Sequence, residues 1–404
     1  MGGTESRGTA IVAGAGIGGL ATAVALMGRG WQVRVLERAA EFGEVGAGLS
    51  VWPNGIRALD ALGLGERVRD LGIADIQAGI RDPSGRWLSR IDAAEFARRH
   101  GPPVMIHRAR LAEVLLAAVP RSSLVPGAAV RHVRPRGSQL EIEYDGGVER
   151  ADLLVGADGI RSTVRRAVWP HAPGPRYAGY TAWRTVVDLG TPLREGGETW
   201  GRGQRIGFAP LCDGRVYVFA VAGVPEGGRS GGGELAELRR RFGGWHDPVP
   251  RLLEAAADEA VLRHDIYELP PLPSFVEGRV ALVGDAAHAM TPNLGQGANQ
   301  ALEDAVTLAA LLDTVPGVPG VPAALVAYHR IRRPRTRRIA ARSRQLGRVA
   351  QWRSAPAVAL RDRALRLAPQ WSLFRSLAPV VSWRPPDTSG PPHRLEDGTR
   401  AVER

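Results

Sequence analysis

The chain has 404 residues, a formal net charge of +12, 44% hydrophobic and 23% charged residues, and one cysteine, Cys212. Such a composition belongs to an ordinary globular protein, long enough for two domains or for one large domain with insertions. A single thiol excludes an internal disulfide and a multi-cysteine metal site, and no apolar run approaches the ~20 residues of a membrane helix.

Met1 to Gly8 is polar and Gly-rich, without the apolar core of a signal peptide, so a cytoplasmic location is expected. Thr9-Ala-Ile-Val-Ala-Gly14 reads as a short buried strand. Gly14-Ala-Gly16-Ile-Gly18-Gly19 then opens an Ala/Leu-rich helix that runs to about Gly30, and a second strand, Val33 to Glu37, ends in acid. This is a dinucleotide fingerprint: glycines for a tight turn and close backbone approach to pyrophosphate, and a carboxylate for a ribose. It does not separate NAD from FAD.

A glycine-rich connection, Glu44 to Ser50, leads through Trp52-Pro-Asn54 into a helix from Gly55 to Leu62. Residues 74 to 100 suggest a short hairpin turning at Asp82-Pro-Ser-Gly85. Ile106-His-Arg108 opens an amphipathic helix, Leu111 to Val119. Strands are expected around Val125 to Arg134 and Leu140 to Tyr144, with a turn at Asp145-Gly-Gly147. Ala151 to Gly159 is another buried strand ending in acid and glycine, followed by a helix, Ser162 to Arg166.

From about residue 173 the pattern changes to alternating strands rich in Trp, Tyr and Phe: Tyr180 to Val187, Glu198 to Trp200, Arg205 to Pro210 and Arg215 to Val221. With a period of two, Tyr180 and Arg184 share one face of their strand and Trp183 takes the other. Arg215, Tyr217, Phe219 and Val221 share a face of theirs. A Gly-rich loop (Glu226 to Gly233) and a helix (Glu234 to Phe242) precede the return to the first domain near Glu277.

Arg279 to Leu282 continues as a buried strand into Gly284-Asp285, followed by a loop through His288 and Pro292 and a helix opened by Gly295 and Gly297. An Asp at such a strand end can accept hydrogen bonds from a polyol, and the adjacent helix N-terminus favours an anion. A flavin needs both, for its ribityl hydroxyls and for its reduced ring. This segment therefore points to FAD. All 53 basic residues are arginine, which fits GC-rich coding. Their densest stretch, Arg330 to Arg348, lacks any nucleic-acid motif and reads as a solvated helix face that helps attract an anionic nucleotide.

Gly14 to Glu37, Gly156-Ala-Asp-Gly-Ile-Arg-Ser162 and Gly284-Asp-Ala-Ala-His288 with Pro292 stand in a recognisable order. The chain resembles the single-component (group A) FAD-dependent aromatic hydroxylases of the para-hydroxybenzoate hydroxylase fold, over about residues 8 to 345. The resemblance implies an α/β fold: a Rossmann-type FAD-binding domain interrupted by a mostly antiparallel β-sheet substrate domain, with a helical C-terminus. The expected division is 8–75, 101–172 and 277–345 for FAD, 76–100 and 173–276 for the substrate sheet, 346–385 for C-terminal helices, and 386–404 as a disordered tail. The Trp-rich C-terminal helices (Trp352, Trp371, Trp383) are read as core packing rather than a pocket cover or dimer contact.

The likeness assigns the cofactor to Gly14, Gly16, Gly19, Glu37, Arg38, Arg108, Asp158, Asp285, Pro292, Gly295, Gly297, Ala298 and Asn299. Glu37 would bind the adenosine ribose and Asp285 the ribityl chain. Asp158 would serve pyrophosphate and NAD(P)H, and the backbone around Gly295 to Asn299 would face the pyrimidine edge. His288 is read as structural, and Phe275 stands where many relatives carry Trp. Arg205 and Tyr217 resemble the Arg and Tyr that urate-hydroxylase-like members place in the substrate pocket, where they would hold a phenolate, carboxylate or enolate. Tyr180, Arg184 and Phe219 would complete the pocket.

The implied reaction is hydroxylation of an electron-rich aromatic or heteroaromatic small molecule by NAD(P)H and O2 through a flavin C4a-hydroperoxide. A flavin epoxidase and an FAD-dependent reductase or dehydrogenase remain alternatives, with a flavin-binding scaffold as the non-enzyme reading. The expected state is a monomer or homodimer without nucleic-acid partner, membrane insertion or metal. Substrate identity and the choice of NADH or NADPH stay open.

Overall fold

Thr9–Ala13 is apolar and almost wholly buried, the pattern of a strand covered on both faces. It lies inside a six-stranded sheet, pairing in parallel with Gln32–Leu36 on one side and Leu153–Gly156 on the other. Val280–Leu282 extends the sheet in parallel beyond Leu153–Gly156, and Leu124–Val125 extends it beyond Gln32–Leu36. The helices Ile17–Met27 and Gly297–Asp313 pack against each other and join the main hydrophobic core.

The second sheet has seven strands, in the order Leu262–Glu268, Arg176–Val187, Val216–Ala222, Gln204–Pro210, Gly197–Trp200, Ala78–Arg81, Trp87–Ile91. All neighbours are antiparallel except Gly197–Trp200 with Ala78–Arg81. One face is apolar (Trp183, Val187, Ile206, Phe208, Val216, Val218) and is covered by residues of the helices Glu234–Phe242 and Val249–Glu254. The opposite face carries Tyr180, Arg184, Arg205, Tyr217 and Phe219, as register and alternation require.

The computed structural model describes residues 6–43, 47–74 and 78–387. The start of the glycine-rich connection, Glu44 to Gly46, lies outside them, as does the expected tail apart from Pro386 and Asp387.

Several expectations are corrected. The single strand expected over Val125 to Arg134 is two: Leu124–Val125 joins the parallel sheet, while Val130–Arg136 begins a three-stranded meander with Gln139–Tyr144 and Gly147–Ala151. Part of the glycine-rich connection is a strand, Gly48–Val51, paired with Val104–His107. Arg215 precedes its strand and is tied to Asp213 at the surface. The basic helix Val321–Ala350 is not solvated throughout, because Arg332 is 0% exposed. Trp383 packs against the main core, but Trp371 is 59% exposed.

Candidate active site

The glycine turn is fixed by contact distances. Gly14 has φ +104°, and a Cβ there would stand 2.5 Å from the Ala157 carbonyl oxygen. A Cβ on Gly19 would stand 1.9 Å from the Gly14 carbonyl oxygen. Gly16 caps the helix Ile17–Met27 with no side-chain hydrogen bond, leaving the first-turn N–H groups without a cap. Glu37 closes the turn: its carboxylate accepts from Ala15 N at 2.7 Å and Ala39 N at 2.9 Å. Arg38 beside it is exposed.

The other two motifs converge on this turn. The Ala301 methyl would be 3.1 Å from a Cβ on either Gly18 or Gly284, so the helix Gly297–Asp313 abuts both segments. Arg165, buried at 2% exposure, donates to the Ala286 carbonyl at 2.8 Å and so links the Asp158 segment to the Asp285 turn. Asp158 caps the helix Thr163–Val168: one carboxylate oxygen accepts from Thr163 N at 2.7 Å and Val164 N at 3.0 Å. The other is buried without a partner.

Asp285 is exposed between buried neighbours, and its carboxylate has no partner among the described residues. Pro292 begins the short turn Pro292–Leu294, and Gly295 follows with φ +59°. Gly297 starts the long helix, again with no side-chain cap, and open space lies where its Cβ would be. Ala298 is half-buried. The Asn299 side chain is spent on the fold: it accepts from Trp52 N and donates to Ser50 and Gly295 carbonyls. Arg108 opens the helix Arg108–Ala117, its backbone N–H bonded to the Ala47 carbonyl at 2.9 Å. Uncapped helix starts, glycines that tolerate no side chain and an unpartnered carboxylate suit a dinucleotide carrying a polyol.

Across from this lies the sheet face. A Cβ on Gly48 would strike the Tyr217 ring at 2.3 Å, so the phenol lies directly on the Gly48–Val51 strand. Phe219 covers Gly207 in the same way, and the Tyr217 and Phe219 rings are 5.9 Å apart. Burial raises the Tyr217 phenol above its ordinary pKa, against the nearby Arg184 and Arg108 guanidinium groups. Burial likewise raises Tyr180, whose hydroxyl accepts from Asn293 at 3.0 Å. Arg184 is half-buried and makes no hydrogen bond or ion pair among the described residues.

Arg205 is 2% exposed. It donates to Glu198 at 2.9 Å and to the Asn293 side-chain oxygen, while its Nε has no partner. Glu198 also accepts from Trp200 Nε1 at 2.7 Å. Asn293 and Gly48 therefore join the sheet face to the glycine-rich side.

Sequence reasoning did not single out Glu198 or Asn293 as site residues, nor Glu303, Asp304 and Arg332 as a cluster. Those last three are each 0% exposed. Arg332 donates to Asp304 at 2.6 Å, to Glu303, and to Gln300, while Arg335 donates to Glu303 at 2.7 Å. Asp304 also accepts from Gly284 N at 2.9 Å and pairs with His288 at 2.6 Å, a structural place for that histidine. Burial alone would raise the Asp304 carboxyl, but His288, Arg332 and these hydrogen bonds bring it down to about 2. The available signal was two adjacent carboxylates in the middle of an otherwise apolar helix.

The FAD binding domain family matches residues 7–195 and 272–343. An aurachin C monooxygenase/isomerase of Stigmatella aurantiaca is 41% identical over 364 residues, covering 89% of this chain and 94% of that protein. A 3-amino-4-hydroxybenzoate 2-monooxygenase of Streptomyces cremeus is 37% identical, covering 88% of this chain and 91% of its own length. The crystal structure of Klebsiella pneumoniae HpxO with FAD and uric acid superposes with a TM-score of 0.86 at 31% identity, over 93% of this chain and 96% of that one.

Proposed function

Because this chain belongs to the group A FAD-dependent aromatic hydroxylases, we propose that it uses NAD(P)H and O2 to hydroxylate a small electron-rich aromatic or heteroaromatic ring held on the Tyr180–Arg205–Tyr217 sheet face. The observation that carries this reading is the meeting of that face with the glycine-rich side at Asn293 and Gly48. Both relatives are named as monooxygenases, one of them for 3-amino-4-hydroxybenzoate.

In this reading residues 8–75, 101–172 and 277–345 form the FAD unit and residues 76–100 and 173–276 the substrate unit. Gly16 and the uncapped start of the helix Ile17–Met27 offer backbone N–H groups to the pyrophosphate. Gly14 and Gly19 keep the turn tight enough for its approach, and Arg38, Arg108 and Asp158 serve the same dinucleotide. Glu37 retains lone pairs for a ribose beyond the two N–H groups it already accepts. Asp285 takes the ribityl hydroxyls. Pro292, Gly295, Gly297, Ala298 and Asn299 shape the edge of the ring site, where the uncapped helix start favours negative charge.

Once bound, the flavin supplies the redox chemistry, taking hydride from NAD(P)H and activating O2. The protein positions the ring and keeps water out. Tyr217 lies in a buried site that keeps its phenol protonated, so the hydroxyl has a proton to donate to a substrate oxygen. Phe219 gives the ring an apolar surface, and Arg205 with Tyr180 and Asn293 fixes one end. Among the described residues no helix is long and apolar enough to cross a membrane. We take the enzyme to act in the cytoplasm as a monomer or homodimer.

The test is NAD(P)H oxidation by the flavin-loaded protein, with oxygen uptake, peroxide and product followed against phenolic and heteroaromatic compounds. The expected result is oxidation accelerated by one class, with a product gaining one oxygen atom from O2 and little peroxide. NAD(P)H oxidation that yields no oxygenated product from any ring would replace the hydroxylase with a reductase.

A further inference from the structure

Arg205 is a cation on the candidate substrate face beside Asn293, yet its charge is already answered. It is buried, bonded to Glu198 at 2.9 Å and to Asn293, and Glu198 is held in turn by Trp200 Nε1. A carboxylate or phenolate arriving at Arg205 would have to displace Glu198 or sit beside it. Both are unfavourable in a site where charges are poorly screened. A neutral carbonyl or hydroxyl meets no such barrier, and Arg205 Nε is a buried donor still lacking an acceptor. Asn293 is itself uncharged.

The other cations of this region do not change the balance at that end. Arg184 stands two strands away from Arg205 and two residues further along, which strand geometry makes about 12 Å. Arg108 and His264 lie on Arg184's side: both arginines act on His264, which burial, Arg184 and Arg108 together push below its ordinary pKa.

We infer that Glu198 is a specificity-determining residue: by neutralising Arg205 it makes this end of the pocket select rings carrying a neutral hydrogen-bonding group and reject the anionic counterpart. The inference rests on the hydroxylase reading above for its substrate, but it concerns binding and is tested without turnover. Isosteric amide and carboxylate pairs on phenol, pyridine and quinoline rings would be titrated into the flavin-loaded enzyme without NAD(P)H, by calorimetry and by quenching of tryptophan fluorescence. The expected result is at least tenfold tighter binding of the amides by the wild type, with Glu198→Gln shifting the amide-to-carboxylate ratio at least tenfold toward the carboxylates. Equal or tighter binding of carboxylates by the wild type would overturn the inference, as would a ratio unmoved beyond twofold in a folded Glu198→Gln protein. The wild-type ratio needs no variant, so it decides even if the substitution misfolds. Failure of the hydroxylase reading would be visible separately, as selective binding without ligand-accelerated NAD(P)H oxidation.

Discussion

The Arg205 guanidinium donates to the side-chain oxygen of Asn293, so a strand of the seven-stranded sheet is tied to the loop just before the helix Gly297–Asp313. The same asparagine donates to Tyr180 and to the Ser343 carbonyl. One uncharged side chain thus holds the substrate face in register with the glycine-rich side. Replacing Arg205 with Gln removes the long reach to Asn293 and leaves Glu198 without its partner. The expected outcome is a fall in kcat/KM of at least tenfold, about 1.4 kcal/mol of transition-state binding. Steady-state kinetics with the preferred ring would show it, and an unchanged kcat/KM would remove Arg205 from the pocket.

Tyr217 offers a cleaner separation of folding from function. Its ring packs on Gly48 and Phe219, but its hydroxyl has no hydrogen-bond partner among the described residues. Tyr217→Phe should leave stability within about 0.5 kcal/mol and lower turnover roughly tenfold or more if the phenol donates to the substrate. Urea denaturation read beside product formation gives both numbers.

Asp285 is exposed and unpartnered in the protein itself. Asp285→Ala should therefore not lower the thermal midpoint of the flavin-free protein. It should weaken FAD binding at least tenfold, measured by fluorescence titration of the apoprotein. A lowered midpoint without weakened binding would make the carboxylate structural.

Arg332 is the opposite case. Its guanidinium is wholly enclosed by Glu303, Asp304 and Gln300. Arg332→Leu strands two buried carboxylates with less compensation, and about 3–5 kcal/mol of stability should be lost. Chemical denaturation would reveal it.

The same cluster sets an acid limit. The folded Asp304 carboxyl titrates at about 2 rather than near its ordinary 3.8. A depressed value means the unfolded chain binds the proton first as pH falls. The stabilisation is therefore complete above about pH 4 and is lost progressively as pH drops through about 2. Denaturation series between pH 5 and 2 should fall more steeply for the wild type than for Asp304→Asn.

What could be read in the chain depended on whether the cause was local. Gly19 is demanded by the Gly14 carbonyl a few residues away, and Tyr180, Arg184 and Trp183 follow from alternation along one strand. These features show in spacing. Glu198 meets Arg205 diagonally across neighbouring strands, and Asn293 reaches Tyr180 from a segment far along the chain; alternation within one strand encodes neither. Arg332 was misread for a related reason. In a helix dense with arginine its burial is determined by two carboxylates on another helix. Gly48–Val51 escaped notice because glycines that leave room for the Tyr217 ring look like a loop when read alone.

The order of strands in the parallel sheet has a bearing on how the chain is made. Thr9–Ala13 is synthesised first, its inner neighbour Leu153–Gly156 far later, and that strand's outer neighbour Val280–Leu282 later still. Gly284 is then secured by Asp304, which awaits Arg332. On the ribosome the edge of Thr9–Ala13 stays open until Leu153–Gly156 has emerged, and the edge of that strand stays open until Val280–Leu282 follows. The nascent chain therefore carries an unpaired apolar strand edge through much of translation, when it is most in need of a chaperone's protection.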